Sequence, residues 1–116
     1  MKFISFKHNQ QNKFGIINNN KITDLTGKVS NSNTLKDLIS NQGIEEAKSY
    51  ATNNPGNIND SDIEYLPLIP NPGKIICVGL NYSEHVKETN RTVEENPVIF
   101  HRFPESQTAH LQPIQR

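Results

Sequence analysis

Apolar residues in the first part of the chain fall in short runs separated by polar turns. "KFISFKH" sets Phe3, Ser5 and Lys7 against Ile4 and Phe6, an alternation that predicts a strand with both faces starting apolar. "KFGIINNNKITDL" predicts two further strands, over residues 14–17 and 21–24. They are joined by an asparagine turn at 18–20, because asparagine tolerates the left-handed conformation that tight hairpins need. Residues 2–25 therefore read as a three-stranded antiparallel meander. The period then lengthens. Leu35, Leu38 and Ile39 share one face at helical spacing, with Thr34 in front of them as N-cap. A second helix starts at about Ile44, with Ile44, Ala47 and Tyr50 or Ala51 turned inward, and Gly43 separates the two. Residues 53–62, "NNPGNINDSD", are turn-rich and predict a loop.

Pro67, Pro70 and Pro72 keep the next segment extended. They mark a domain boundary in the region of residues 60–72, with a small N-terminal α/β domain over 1–66 and the start of a second domain over 67–116. Residues 75–78 are continuously apolar, as in a strand buried on both faces. Gly79 allows a bend or a close backbone approach. Asn81 suits an N-cap, with Glu84 at the third helical position, as in a capping box. A helix of about two turns is expected over 82–89, and a second apolar strand over 98–103. The tail from Pro104 shows no helical or strand period. The fold class expected is α+β: an antiparallel sheet with two helices, then the opening strands and helix of a mixed, β-rich domain.

Composition narrows the function classes. Twelve Lys and Arg balance twelve Asp and Glu over 116 residues. A nucleic-acid or anionic-membrane role resting on bulk charge is therefore not expected. Hydrophobic content of 33% and a mean hydropathy of −0.68 are low for a globular domain, so a large core is not expected within these residues. One cysteine, Cys77, excludes an internal disulfide and a cysteine-rich zinc site. The opening apolar run is too short for a signal peptide, and no stretch has the length to span a bilayer. The compartment expected is reducing, hence the cytoplasm.

The candidate chemistry lies in "KIICVGLNYSEHVKETN", residues 74–90. His85 and Glu88 are three apart and share one face of a helix. A carboxylate beside an imidazole fixes its tautomer and stabilises the imidazolium, which is what a general base needs. The same spacing also occurs on an ordinary solvated helix face. His8, His101 and His110 make no i,i+4 metal pair with one another or with His85. Cys77 reads as a small buried hydrophobe, since nothing adjacent would make it a thiolate. Arg102 suits a carboxylate ligand if it faces a cleft, or plain solvent at a strand end.

The combined pattern resembles the fumarylacetoacetate hydrolase family. Its catalytic domain typically opens with Cys-Val-Gly, Asn-Tyr, and then a His and a Glu each preceded by two residues. These match Cys77, Val78, Gly79, Asn81, Tyr82, His85 and Glu88. Pro97, the apolar 98–100 run, Arg102, Ser106 and Pro113–Ile114 match the positions that follow. The strand-rich opening, with its glycine and Asp24-Leu25, is similar to the small N-terminal domain of bacterial members. The resemblance implies hydrolysis of carbon–carbon bonds in acylpyruvates and fumarylpyruvate-type diketo acids, or isomerisation or decarboxylation of related oxo-acids such as 2-hydroxymuconate-type compounds. It implies His85 as base, Glu88 as the group that orients it, and Tyr82 and Arg102 at the substrate. It further implies Mg2+, or Mn2+ or Ca2+, on the substrate's oxo-acid oxygens, a lid formed around His85, and homodimers of full-length members.

The family's metal-binding carboxylates, a Glu-x-Glu strand and a later aspartate, fall beyond Arg116, so no metal ligand is assigned here and these residues alone are expected to be inactive. Ala109 and Leu111 stand where many relatives have glycine around His110. The alternative reading is a shortened, non-catalytic paralogue that serves as a binding or regulatory subunit of a full-length protein. A third is a structural domain with an inert His-Glu pair.

Overall fold

A computed structural model describes residues 1–79 and 98–114. The first seventy residues form an α+β unit. Its strands are β1 (Lys2–His8), β2 (Gln11–Asn18), β3 (Lys21–Asp24), β4 (Ile58–Asn59) and β5 (Glu64–Leu66). They make one antiparallel sheet in the order β4-β3-β2-β1-β5. Helices α1 (Leu35–Ser40) and α2 (Ile44–Asn53) complete the unit.

The meander expected over residues 2–25 is present, and its two turns explain its register. Asn9 and Gln10 at φ 50° and 62°, and Asn19 and Asn20 at 49° and 62°, form two-residue hairpin turns with both residues left-handed. The first of these turns went unrecognised in the sequence. Strand β2 therefore begins at Gln11 rather than near residue 14, and Asn18 belongs to the strand rather than to the turn. Gly15 sits where a β-carbon would stand 2.2 Å from the Thr23 carbonyl oxygen, so only glycine lets β2 and β3 approach there.

Both faces of β1 begin apolar because both faces of the sheet are covered. Phe14, Ile16, Leu25, Val29, Leu35, Leu38, Ala47 and Ala51 form the larger cluster, with Phe3, Ile44 and Tyr50 packed against it. Ile4, Phe6 and Ile22 form a second cluster, with Ile17, Ile58, Ile63 and Tyr65 at its border. Thr34 caps α1 in a reciprocal box with Asp37, which satisfies two otherwise orphan backbone donors. Ile39 departs from the expected apolar face. It is 50% exposed, because a six-residue helix presents only Leu35 and Leu38 squarely to the core. Residues 53–62 are not simply a loop: β4 pairs with Lys21 and Ile22, and a 3-10 turn follows at Asp60–Asp62.

The described chain divides into two compact units, residues 1–70 with 107–114 of the tail, and residues 71–106. In the second, β6 (Ile75–Gly79) pairs antiparallel with β7 (Val98–Arg102). The expectation of a strand buried on both faces does not hold for β6. Ile76 is 65% and Val78 49% exposed, because a two-stranded ribbon leaves a face without cover. Strand β7 ends at Arg102, one residue before the expected end, and a 3-10 turn follows at Pro104–Ser106.

Candidate functional site

The register of the ribbon fixes where the motif residues enter and leave it. Gly79 pairs with Val98, Cys77 with Phe100, and Ile75 with Arg102. Residues 80–97, which carry Tyr82, His85 and Glu88 and the expected helix, lie outside the described residues. They connect to the ribbon at the paired positions Gly79 and Val98. A β-carbon added at Gly79 would meet the Phe100 ring at 3.4 Å, an ordinary van der Waals contact.

Arg102 is exposed on β7, on the same face as Val98 and Phe100. Its Nε donates to Ser106 Oγ at 3.2 Å, and Ser106 in turn donates to the Phe103 carbonyl at 2.7 Å. The 3-10 turn thus orients one edge of the guanidinium. Arg102 pairs with Ile75, four residues along the ribbon from the Gly79–Val98 end, or roughly 13 Å of strand rise. Cys77 is half-buried, in keeping with a packing role.

Among the described residues no group of three or more His, Cys, Asp or Glu side chains converges as a cation site. The described residues therefore do not fit the divalent ion that the resemblance implies, and no chemical step is assigned to one. Among the same residues no helix is long and apolar enough to cross a membrane.

A separate feature of the first unit was not legible in the sequence. A groove of about 520 Å³ runs along β1 and β5, with Phe3, Ile4, Leu66 and Pro67 in its walls and Thr108, Ala109 and His110 at its border. At its rim the Tyr65 hydroxyl donates to Asp60, and the His110 ring meets the Tyr65 ring edge-on with centroids 5.0 Å apart. Burial, the hydrogen bond to Asp60 and that carboxylate's charge push the Tyr65 phenol up to about 12. These residues come from sequence positions 3 to 110, and no local spacing links them.

No family model matches the chain. Individual proteins do. The mitochondrial oxaloacetate tautomerase fahd2 of Xenopus laevis is 39% identical over 71 residues, 61% of this chain and 22% of that protein. The mitochondrial oxaloacetate tautomerase Fahd2a of Rattus norvegicus is 46% identical over 46 residues, 40% of this chain and 15% of that protein. A fumarylacetoacetate hydrolase domain-containing protein 2 homologue of Dictyostelium discoideum is 31% identical over 99 residues, 81% of this chain and 32% of that protein. The aligned part of the chain thus spans between 15% and 32% of these relatives' lengths.

Proposed function

We propose, since this chain belongs to the fumarylacetoacetate hydrolase family, that it forms part of an enzyme acting on small oxo-acids. In this reading residues 1–66 are its small N-terminal domain, and residues from 67 onward open its fumarylacetoacetase-like catalytic domain. The observation that carries the proposal is the joint occurrence in the sequence of Cys77, Gly79, Tyr82, His85 and Glu88, followed by Val98–Arg102, with Gly79 paired to Val98. The names of the frog and rat relatives favour tautomerisation of an oxo-acid over carbon–carbon hydrolysis within the family's range.

Tautomerisation breaks the C–H bond beside the carbonyl and forms an O–H bond at the carbonyl oxygen, or the reverse, with no carbon–carbon bond broken. His85 would take the proton from the acidic position beside the carbonyl and return it to the other site, and Glu88 would hold the imidazole in the required tautomer. Arg102, with Ser106 fixing its Nε, would present its Nη donors to the substrate carboxylate. Tyr82 would line the same substrate. In the hydrolytic variant of this proposal the same base takes its proton from water. The complete protein would act as a homodimer, in a reducing compartment suited to a lone half-buried Cys77.

The test is an oxaloacetate keto–enol assay on the protein translated from the complete reading frame that contains these residues. An acetylpyruvate hydrolysis assay runs beside it, each with and without Mg2+. Acceleration of either reaction, lost in His85→Gln, supports the proposal. Equal rates for His85→Gln and the parent sink the assignment of the base.

A second reading has its own observation. Ile76, Ile99, Phe100 and Phe103 are 47–69% exposed on and beside the ribbon, more apolar surface than so small a unit usually leaves to water. In this reading the 116-residue chain is a binding or regulatory subunit that docks on a full-length relative. Co-elution of the two as a defined complex on size exclusion supports it, and separate elution removes it.

A further inference from the structure

Residues 108–110 border the groove of the first unit, and long hydrogen bonds from Gln107 and Gln112 help to fasten the segment there. Gln107 Nε2 donates to the Ile69 carbonyl at 3.4 Å. Gln112 Nε2 donates to Glu64 Oε1 at 3.2 Å and to the Tyr65 carbonyl at 3.3 Å. These distances sit at or beyond the long end of good hydrogen-bond geometry. Ala109, 7% exposed, is buried at the groove's border, and His110 meets the Tyr65 ring edge-on.

The segment holds a turn that resists its own sequence. The Gln112 N–H donates to the Ala109 carbonyl at 3.2 Å, which closes a four-residue turn with Leu111 as its third residue. Leu111 has φ 63°. A turn with positive φ only at that position favours glycine or asparagine, because a β-carbon there crowds the backbone. Among the described residues the other non-glycine positions with positive φ are Asn, Gln or Ser, and Leu111 alone is apolar. Its side chain is 84% exposed, so no burial offsets the strain.

We infer that residues 107–112 form a releasable strap, in which the strain at Leu111 opposes the docking contacts so that the strap lifts and opens the groove between Phe3, Ile4 and Leu66. Relief of that strain must then hold the strap down without altering the rest of the unit. Release lets the strained 109–112 turn relax as the strap lifts, which breaks the Gln112 N–H bond to Ala109 and exposes that amide while the sheet stays intact.

Amide hydrogen exchange by NMR on the 116-residue chain reads this directly. Gln112 N–H reports the strap, and the amides of β1 report opening of the whole unit. Leu111→Gly and Leu111→Asn are expected to slow Gln112 exchange by about three- to tenfold while β1 is unchanged, with glycine at the low end because it gains freedom when the strap lifts. Tyr65→Leu, which removes the ring under His110, is expected to speed Gln112 exchange. Gln112 exchange that is unchanged or faster in both Leu111 variants overturns the inference. So does Gln112 exchanging in parent protein only as slowly as β1, since the strap would then open only on global unfolding.

Discussion

Replacing Asp24 by asparagine tests the junction that closes the meander onto the helices. The Asp24 side chain is 12% exposed and accepts from Lys13 Nζ at 2.7 Å and from the Thr26 N–H at 2.9 Å, with Lys28 Nζ at 4.0 Å. Burial alone would raise this carboxyl. The Lys13 bond, the Thr26 bonds and the Lys13 charge outweigh that and hold it below the ordinary carboxylate value. Asparagine keeps the shape and one acceptor for Thr26 but loses the charge. Hydrogen bonds to charged groups contribute about 1.5–3 kcal/mol, and exposed ion pairs about 0.2–1 kcal/mol. A pair 21% and 12% exposed falls between, so a loss of about 1–2 kcal/mol is expected at pH 7. Urea unfolding should show this as a midpoint lower by roughly 1 M, with an unchanged slope.

The sign of the pH dependence follows from the depressed folded value. The Asp24 contribution is fully present above the unfolded carboxyl value of about 3.9, and it is lost as pH falls through the lower folded value. Parent and Asp24→Asn midpoints should therefore converge in acid. A gap at pH 7 that persists unchanged below the folded value, or no gap at pH 7, refutes the role given to the Lys13–Asp24 pair.

Other consequences are as direct. Thr34→Ala removes the acceptor for the Asp37 N–H and should destabilise the first unit by about 1 kcal/mol, read as a urea midpoint shift. Gly15→Ala forces a β-carbon to within 2.2 Å of the Thr23 carbonyl oxygen, and circular dichroism and exchange should show loss of the native sheet. Leu38→Ala, at a fully buried position between α1 and the sheet, should cost about 3 kcal/mol in urea unfolding.

The meander, both helices and the Thr34 cap were legible because each rests on local chemistry: alternating apolar residues, asparagine turns and a polar cap before a periodic run. The misreadings share another origin. Ile39 and the ends of β2 depended on helix length and on a second two-residue turn at Asn9–Gln10. Strand β4 depended on pairing across the sheet with residues 21 and 22, which no local pattern announces. For Ile76 and Val78, apolar character predicted burial, whereas exposure is set by how many strands stand beside them. Of the candidate site, the sequence motif named His85, Glu88, Tyr82 and Arg102, and the structure describes Arg102, with Ser106 as the group that orients it. The Tyr65–Asp60–His110 cluster was illegible because its members meet only after β5 and the tail are in place.

The most direct test of the family-based account is the rate of oxaloacetate tautomerisation by the protein from the complete reading frame, compared with its His85→Gln variant. The account predicts catalysis in the parent and a loss of about 100- to 10,000-fold in the variant, the range for removing a general base. A parent without activity on oxaloacetate or acetylpyruvate, or a His85→Gln variant as fast as the parent, would contradict it.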